Sequence, residues 1–264
     1  MKNNALFCLE LEITPISELL FRQVGKSNLQ WFTYPFVPPT VFSGLLYSAL
    51  FRSNKDFIEV NDNKARQLQQ KYPDIIPMGA YPFLPEQSLY QTKKHYRQHL
   101  GDRYNYEGYI QQTKITSTKG KKSNVGKKLA IVESLWTSPL RGFLLSYDKQ
   151  YLVEVEENVK YKICRAGKKG VIKIDNSKLY PLNEEHKDGA VSSSITPVEV
   201  AIKLDAGTTL RLYHVPIKLQ EMDGNLKWHV HPCFYGVKIV GKCWVNDQMS
   251  TCIPSKLVEI ITGK

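Results

Sequence analysis

The stretch that decides the fold is Gln30–Arg52, QWFTYPFVPPTVFSGLLYSALFR. Its two prolines, Pro38 and Pro39, end any extended segment and fix a backbone angle that suits the start of a helix. From Val41 to Phe51 almost every residue is apolar, so more than one face of the resulting helix is apolar. The pattern therefore predicts a buried helix over 41–51, with Thr40 available as its cap.

Gly44 lies inside this helix, where glycine costs about 1 kcal/mol relative to alanine. A glycine retained at such a cost indicates close approach of another group, such as a strand or a ligand backbone. We therefore expect a tight contact at Gly44. The alternative is ordinary packing of a helix on a sheet, with no part in binding.

Composition sets the class of partner. The chain has 264 residues, which is enough for one large domain or two small ones. It is 42% hydrophobic, so it can bury a core. Lys and Arg number 36 against 25 acids, which gives a net charge of +11. This charge points to nucleic acid or another anionic surface, and the fifteen tyrosines could stack on unpaired bases. The alternative is a protein that is merely basic.

The cysteines and the hydropathy pattern indicate location. The five cysteines are odd in number and lack CxxC spacing, which is typical of reduced thiols in the cytoplasm. The N-terminal residues lack the apolar core of a signal peptide, and no run of 18 apolar residues occurs. We therefore expect a cytoplasmic protein that does not span a membrane.

The order of predicted elements indicates an α+β fold. A first strand over 5–13 is followed by a connector over 15–30 and then by the buried helix. Later segments predict a strand over 141–147 and a helix capped by Asp148 that extends to residue 159. A polar linker over 181–194 and a β-rich C-terminal portion complete the chain.

A basic segment rich in tyrosine spans 88–133. Cations and tyrosines alternate in its first part, and no acid occurs between Glu107 and Glu133. Such an arm suits tracking of a polyanion backbone, whereas the alternative is a solvated surface insertion. The cations and tyrosines of the first part are Lys93, Lys94, His95, Arg97, His99, Arg103, Tyr90, Tyr96, Tyr104, Tyr106 and Tyr109. The lysines of the acid-free part are Lys114, Lys119, Lys121, Lys122, Lys127 and Lys128.

A second basic motif is the turn Gly167-Lys168-Lys169-Gly170, between two β-rich arms. Its backbone N–H groups and lysines could hold a phosphate, although it lacks the spacing of a P-loop. A plain hairpin turn is the alternative.

Evidence for catalysis or a cofactor is weak. His229, His231 and Cys233 have metal-ligand chemistry but lack a second ligand pair, so no metal site or cofactor is predicted. No GxSxG motif or triad occurs. The pair Lys94-His95 could support metal-independent RNA cleavage, but RNA binding fits a basic arm better.

The motif Pro38-Pro39-Thr40 followed by Gly44-Leu45-Leu46 resembles the N-terminal signature of the CRISPR-associated Cas-five family, a branch of the RAMP proteins. The turn 167–170 resembles the glycine-rich loop of that family. The basic segment 88–133 lies where the family has its β-hairpin thumb. The resemblance is greatest to members of subtypes I-A and I-B.

This resemblance implies a ferredoxin-like RNA-recognition (RAMP) domain over 1–180, with the thumb inserted at about 88–133, and a smaller β-rich region over 181–264. It implies a non-catalytic subunit of the type I Cascade ribonucleoprotein, acting in antiviral defense. Such a subunit grips the 5′ handle of the crRNA, adjoins the large subunit and the first backbone subunit, and meets target DNA through the complex.

Two alternatives remain open. One branch of the family cleaves repeat RNA with a tyrosine and a Lys-His pair. This chain has Tyr47 and Lys94-His95, but the match does not assign a catalytic residue. The other alternative is a basic structural protein of a different ribonucleoprotein.

The residues expected to contact RNA lie in the three basic segments and around the helix entry. They are Arg22, Lys26, Tyr34, Thr40, Gly44, Lys94, His95, Tyr96, Arg97, Arg103, Lys114, Lys119, Lys121, Lys122, Arg165, Gly167, Lys168 and Lys169. Arg22, Lys26, Lys94, Arg97, Lys168 and Lys169 are expected to bind phosphates, and Tyr34 or Tyr96 to stack on a base.

Overall fold

The computed structural model describes residues 5–24, 30–51, 64–83, 91–100, 103–104, 110–111, 127–137, 139–167, 170–202, 211–222 and 225–263. Its helices are α1 (Pro39–Phe51), α2 (Lys64–Lys71), α3 (Lys149–Val159) and α4 (Ser255–Thr262). Its strands are β1 (Leu6–Pro15), β2 (Gln30–Trp31), β3 (Ile76–Pro82), β4 (Gln91–Leu100), β5 (Arg103–Tyr104), β6 (Ile110–Gln111), β7 (Lys127–Trp136), β8 (Leu140–Ser146), β9 (Ile163–Ala166), β10 (Gly170–His186), β11 (Ile195–Pro197), β12 (Tyr213–Met222), β13 (Asn225–Tyr235), β14 (Lys242–Asn246) and β15 (Thr251–Pro254).

An antiparallel central sheet has the strand order β15-β14-β10-β1-β8-β3, and β9 also pairs with β10. Four of its strands form a β-α-β-β-α-β unit: β1, α1, β3, β8, α3, β10. These four strands lie in the order fourth, first, third, second. Since β1 lies between β10 and β8, the predicted first strand is in the interior of the sheet.

Helices α1 and α3 pack against one face of this sheet, called here the helix face. The predicted helix over 41–51 is confirmed and begins two residues earlier, at Pro39. Its Phe42 ring reaches the sheet at Gly142, where an added Cβ would lie 2.7 Å from Phe42 and 2.9 Å from Ile13. The absence of a side chain at Gly142 therefore lets the helix approach the sheet.

Local signals set several element boundaries. Asp148 caps α3, because its side chain accepts a hydrogen bond of 2.8 Å from the Gln150 N–H. The predicted linker at 181–194 is wrong over its first part, because β10 continues as strand through His186. Side chains from both predicted domains, including Leu9 and Leu257, share one buried core.

The C-terminal portion is β-rich, as predicted, and adds a three-stranded sheet in the order β11-β13-β12. Strands β14 and β15 instead extend the central sheet beyond β10. No helix among the described residues is long and apolar enough to cross a membrane.

The stem of the basic arm is an antiparallel pair, β4 with β7, in register from Gln91 opposite Trp136 to Leu100 opposite Lys127. Strand β2 adds to β7 in parallel. The short pair β5–β6 places Arg103 opposite Gln111. The predicted contacts Lys26, Lys114, Lys119, Lys121, Lys122, Lys168 and Lys169 lie outside the described residues.

Candidate nucleic-acid interface

The glycine-rich turn connects β9 to β10 and packs directly on the connector that follows β1. Gly167 has a positive φ of 66°, and a Cβ added to it would lie 2.5 Å from the Leu20 carbonyl oxygen. A Cβ on Gly170 would lie 2.5 Å from a methyl group of Leu19. Both glycines are therefore needed for this contact, which fixes each end of the turn against the connector.

The same connector holds the base of the arm. The Leu19 N–H donates to the Leu135 carbonyl at 3.1 Å, and the Leu135 N–H donates back to Leu19 at 2.7 Å. Leu135 belongs to β7 and lies opposite Thr92 of β4, two residues before Lys94. The stem that carries Lys94, His95, Tyr96 and Arg97 is thus anchored where the turn packs.

A short ladder fixes the backbone around Arg22. The Phe21 N–H donates to the Thr33 hydroxyl at 3.0 Å, and the Gln23 N–H donates to the Phe32 carbonyl at 2.9 Å. Arg22 itself forms a β-bridge with Thr33 and is half-buried. The connector is therefore a fixed part of the fold at this point.

These contacts bring together three basic segments that lie far apart in the sequence. We call the site the basic junction: Arg22, the turn 167–170 and the base of the β4–β7 stem, gathered around residues 19–21. Arg165 is exposed on β9, opposite Val171 and next to the turn. The cations described here are Arg22 and Arg165, and positive charge suits a phosphate backbone.

Tyr34 is not a base-stacking residue in this structure. It is 1% exposed, and its ring packs against Phe36 and Tyr213. Its hydroxyl donates to the His214 carbonyl and accepts from the Val24 N–H at 3.2 Å. Burial raises its pKa to about 12. The prediction of stacking at Tyr34 is therefore wrong, because the ring is part of the core.

Thr40 also has an internal role. It is buried, and its hydroxyl donates a 3.1 Å hydrogen bond to the Pro216 carbonyl of β12. This bond joins the start of α1 to the C-terminal portion, so Thr40 does not present its hydroxyl to RNA.

The close contact expected at Gly44 is absent among the described residues. A Cβ added there would have no described heavy atom within 4 Å, leaving aside the backbone of its own helix. Neighbouring Ser48 instead donates a 2.9 Å hydrogen bond to the Gly44 carbonyl. Among the described residues Gly44 therefore has open space beside it, so the strand contact expected there from the sequence is absent.

Gly44→Ala should consequently stabilise the protein by about 1 kcal/mol, because alanine favours a helix interior and meets no described neighbour. Thermal melting measures the effect, and Gly142→Ala is the matched control, expected to destabilise because its Cβ would meet Phe42. A lower melting temperature for Gly44→Ala would contradict the prediction. Unchanged RNA affinity would remove Gly44 from the interface.

The other face of the central sheet carries a buried ion pair that the sequence analysis missed. Arg141 donates from Nε and Nη2 to the two Glu10 oxygens, both at 2.8 Å. The Tyr180 hydroxyl donates to Glu10 at 2.7 Å, and Arg141 also donates to the Met249 carbonyl at 2.9 Å. The available signal was Glu10, an acid inside an apolar strand.

Burial and charge shift the titration of this cluster. Burial lowers the pKa of Arg141, but the hydrogen bonds and charge of Glu10 outweigh it and hold that pKa above its ordinary value. Burial, with the nearby Cys8 and Glu10, raises the pKa of Tyr180. Burial also raises the pKa of the Cys8 thiol. Cys8 and Tyr180 therefore remain neutral at physiological pH, while Arg141 stays charged.

The histidine pair on β13 does not gather further ligands. The rings of His229 and His231 are stacked with centroids 6.1 Å apart, and His231 contacts Glu199 at 3.1 Å. In the described part of the chain, no three His, Cys, Asp or Glu side chains cluster as a metal site would require.

Comparisons with known proteins give similarity at the level of structure. No family model and no curated protein sequence matches the chain. Two similar structures are of the type III-B Cmr-beta complex bound to cognate target RNA. One also contains AMPPnP and is 12% identical over 88% of this chain and 86% of the other, with a TM-score of 0.44.

The second structure of this complex is 11% identical over the same shares of each chain, with a TM-score of 0.46. A CRISPR protein from Archaeoglobus fulgidus is 12% identical over 91% of this chain and 96% of its own, with a TM-score of 0.42.

Proposed function

We propose that this chain is a non-catalytic RNA-binding subunit of a CRISPR effector ribonucleoprotein. The observation that carries the proposal is the basic junction. The turn 167–170 and the stem of the basic arm both contact residues 19–21, beside Arg22. A site where three basic segments meet suits a bound strand whose phosphates pass over all of them.

The finer proposal is the Cascade subunit of a type I system, which grips the 5′ handle of the crRNA. The sequence resemblance at Pro38-Pro39-Thr40 and Gly44-Leu45-Leu46 supports it. The strand order fourth, first, third, second in a β-α-β-β-α-β unit is that of a ferredoxin-like domain. The β4–β7 stem then corresponds to the thumb.

Within such a complex the partners are the crRNA, the large subunit and the first backbone subunit, with target DNA reached through the guide. Lys94, Arg97, Arg22 and the turn lysines hold phosphates in this proposal. Tyr96 takes the stacking role, since Tyr34 is buried.

A salt titration of RNA binding tests the proposal. For Lys168→Ala with Lys169→Ala, the slope of log affinity against log salt should fall by about 1.4, since each phosphate contact on single-stranded RNA contributes about 0.7. The control is Lys242→Ala with Lys256→Ala, whose lysines pair with Glu184 and Glu259 away from the junction. An unchanged slope in the first variant would remove the turn from the interface.

Incubation with repeat RNA in EDTA tests the non-catalytic assignment. We expect the RNA to be retained and recovered at full length. Cleavage that is lost in His95→Ala would instead support the endoribonuclease alternative, with His95 as acid or base. Failure to bind any RNA would favour a basic structural protein.

A further inference from the structure

A cavity of about 660 Å³ opens on the face of the central sheet opposite α1 and α3. Glu12 of β1 and Asn176 of β10 line it and lie directly opposite each other on paired strands. Phe83, at the end of β3, and the turn that includes Met249 line its other sides. Its volume falls within the range of pockets that hold a small organic ligand.

The cavity is lined by the aromatic ring of Phe83 and by the ion pair of Arg141 with Glu10. The Arg141 guanidinium contacts two rings, 5.4 Å from the centre of Phe83 and 5.2 Å from that of Phe143. Its charge is already held by the bidentate contact with Glu10. Phe83 is 50% exposed, so part of its ring surface is available to a ligand. The aromatic surface suits a planar ring, and the exposed Lys178, which also lines the cavity, supplies a cation for a phosphate attached to that ring.

Two polar side chains that line the cavity determine which hydrogen-bonding groups a ligand ring must present. The Asn176 side-chain oxygen accepts from the Ser177 N–H at 2.9 Å, which leaves the amide NH₂ to donate. Glu12 is exposed, and its carboxylate only accepts hydrogen bonds. A ligand edge with an amino group beside a ring acceptor satisfies both. Uracil fits poorly, because carbonyl oxygens flank its ring N–H and one would face the carboxylate.

We propose that this cavity binds one unpaired nucleobase that carries an exocyclic amino group. The base stacks on Phe83 and donates its amino hydrogens to Glu12. The inference rests on the proposed function, because it takes the occupant to be a base of the bound RNA. A free nucleotide carries the same base, and the experiment distinguishes it from a base of the bound RNA.

The test compares oligocytidine with oligouridine of equal length, since the two pyrimidines have rings of the same size. Wild-type protein should bind oligocytidine more tightly, and Glu12→Gln should reduce that preference towards unity, because an amide offers both donor and acceptor. Phe83→Ala should weaken oligocytidine binding about 5- to 150-fold. Trp228→Ala, which removes an exposed aromatic ring outside the cavity, should leave it unchanged.

A fluorescence titration of Phe83→Trp with CMP and UMP supplies the free-nucleotide arm. RNA binding with weak or no CMP quenching assigns the site to a base of the RNA. Quenching by CMP without RNA binding assigns it to a free nucleotide and overturns the proposed function. Salt-dependent RNA binding that shows no cytosine preference and is unaffected by Phe83→Ala overturns the cavity inference alone.

Discussion

Arg141→Met should lower the free energy of unfolding by about 3–5 kcal/mol, because it leaves Glu10 buried without its charged partner. The side chains of Arg141 and Glu10 are only 12% and 10% exposed, so water from the adjoining cavity can replace the lost contacts only in part. The same substitution removes the hydrogen bond from Arg141 to the Met249 carbonyl. Urea unfolding followed by circular dichroism measures the loss.

The double variant Glu10→Gln with Arg141→Met should recover much of this stability, because an uncharged amide can still accept from Tyr180. Lys242→Met is the matched control: it removes an ion pair with Glu184 between neighbouring strands, at 68% and 34% exposure. Its effect should be about 0–1 kcal/mol. Similar losses for Lys242→Met and Arg141→Met would contradict a special cost of the buried charge.

Local patterns in the sequence predicted the elements well, because neighbouring residues determine them. The apolar run after Pro38 and Pro39 predicted α1, and Asp148 predicted the start of α3. The prediction of a linker over 181–194 was wrong in its first part because those polar residues lie in β10. Exposed and buried positions alternate along this strand. Polarity alone did not separate such a strand from a loop.

Contacts between distant segments determine the features that the sequence did not predict, namely which predicted site residues are buried and where the basic segments meet. Tyr34 looked like a binding aromatic, but strand β12, about 180 residues later, covers it. Gly44 looked like a close-packing position, whereas glycines that do have close neighbours include Gly142, Gly167 and Gly170. The basic segments could be identified from composition, but their convergence depends on the pairing of Leu19 with Leu135, which no local pattern contains.

Gly167→Ala should destabilise the protein by about 2–5 kcal/mol, the largest effect expected for a glycine substitution at the basic junction. Two costs combine there. A residue with a Cβ pays about 1–2 kcal/mol at a positive φ, and Gly167 has a φ of 66°. The new Cβ would also lie 2.5 Å from the Leu20 carbonyl oxygen, so turn and connector must separate, at about 1–3 kcal/mol.

Gly189→Ala separates these two costs. Gly189 also has a positive φ, of 81°, but an added Cβ would meet no described atom within 4 Å. Gly189→Ala should therefore lose only the stability that the positive φ costs. The difference in stability between the two variants then measures the contact of Gly167 with the connector. Because that contact positions the turn, Gly167→Ala should also weaken RNA binding at a temperature where it remains folded, whereas Gly189→Ala should not. Equal losses of stability in both variants, with equal RNA affinity, would mean that the turn does not depend on residues 19–21 for its position.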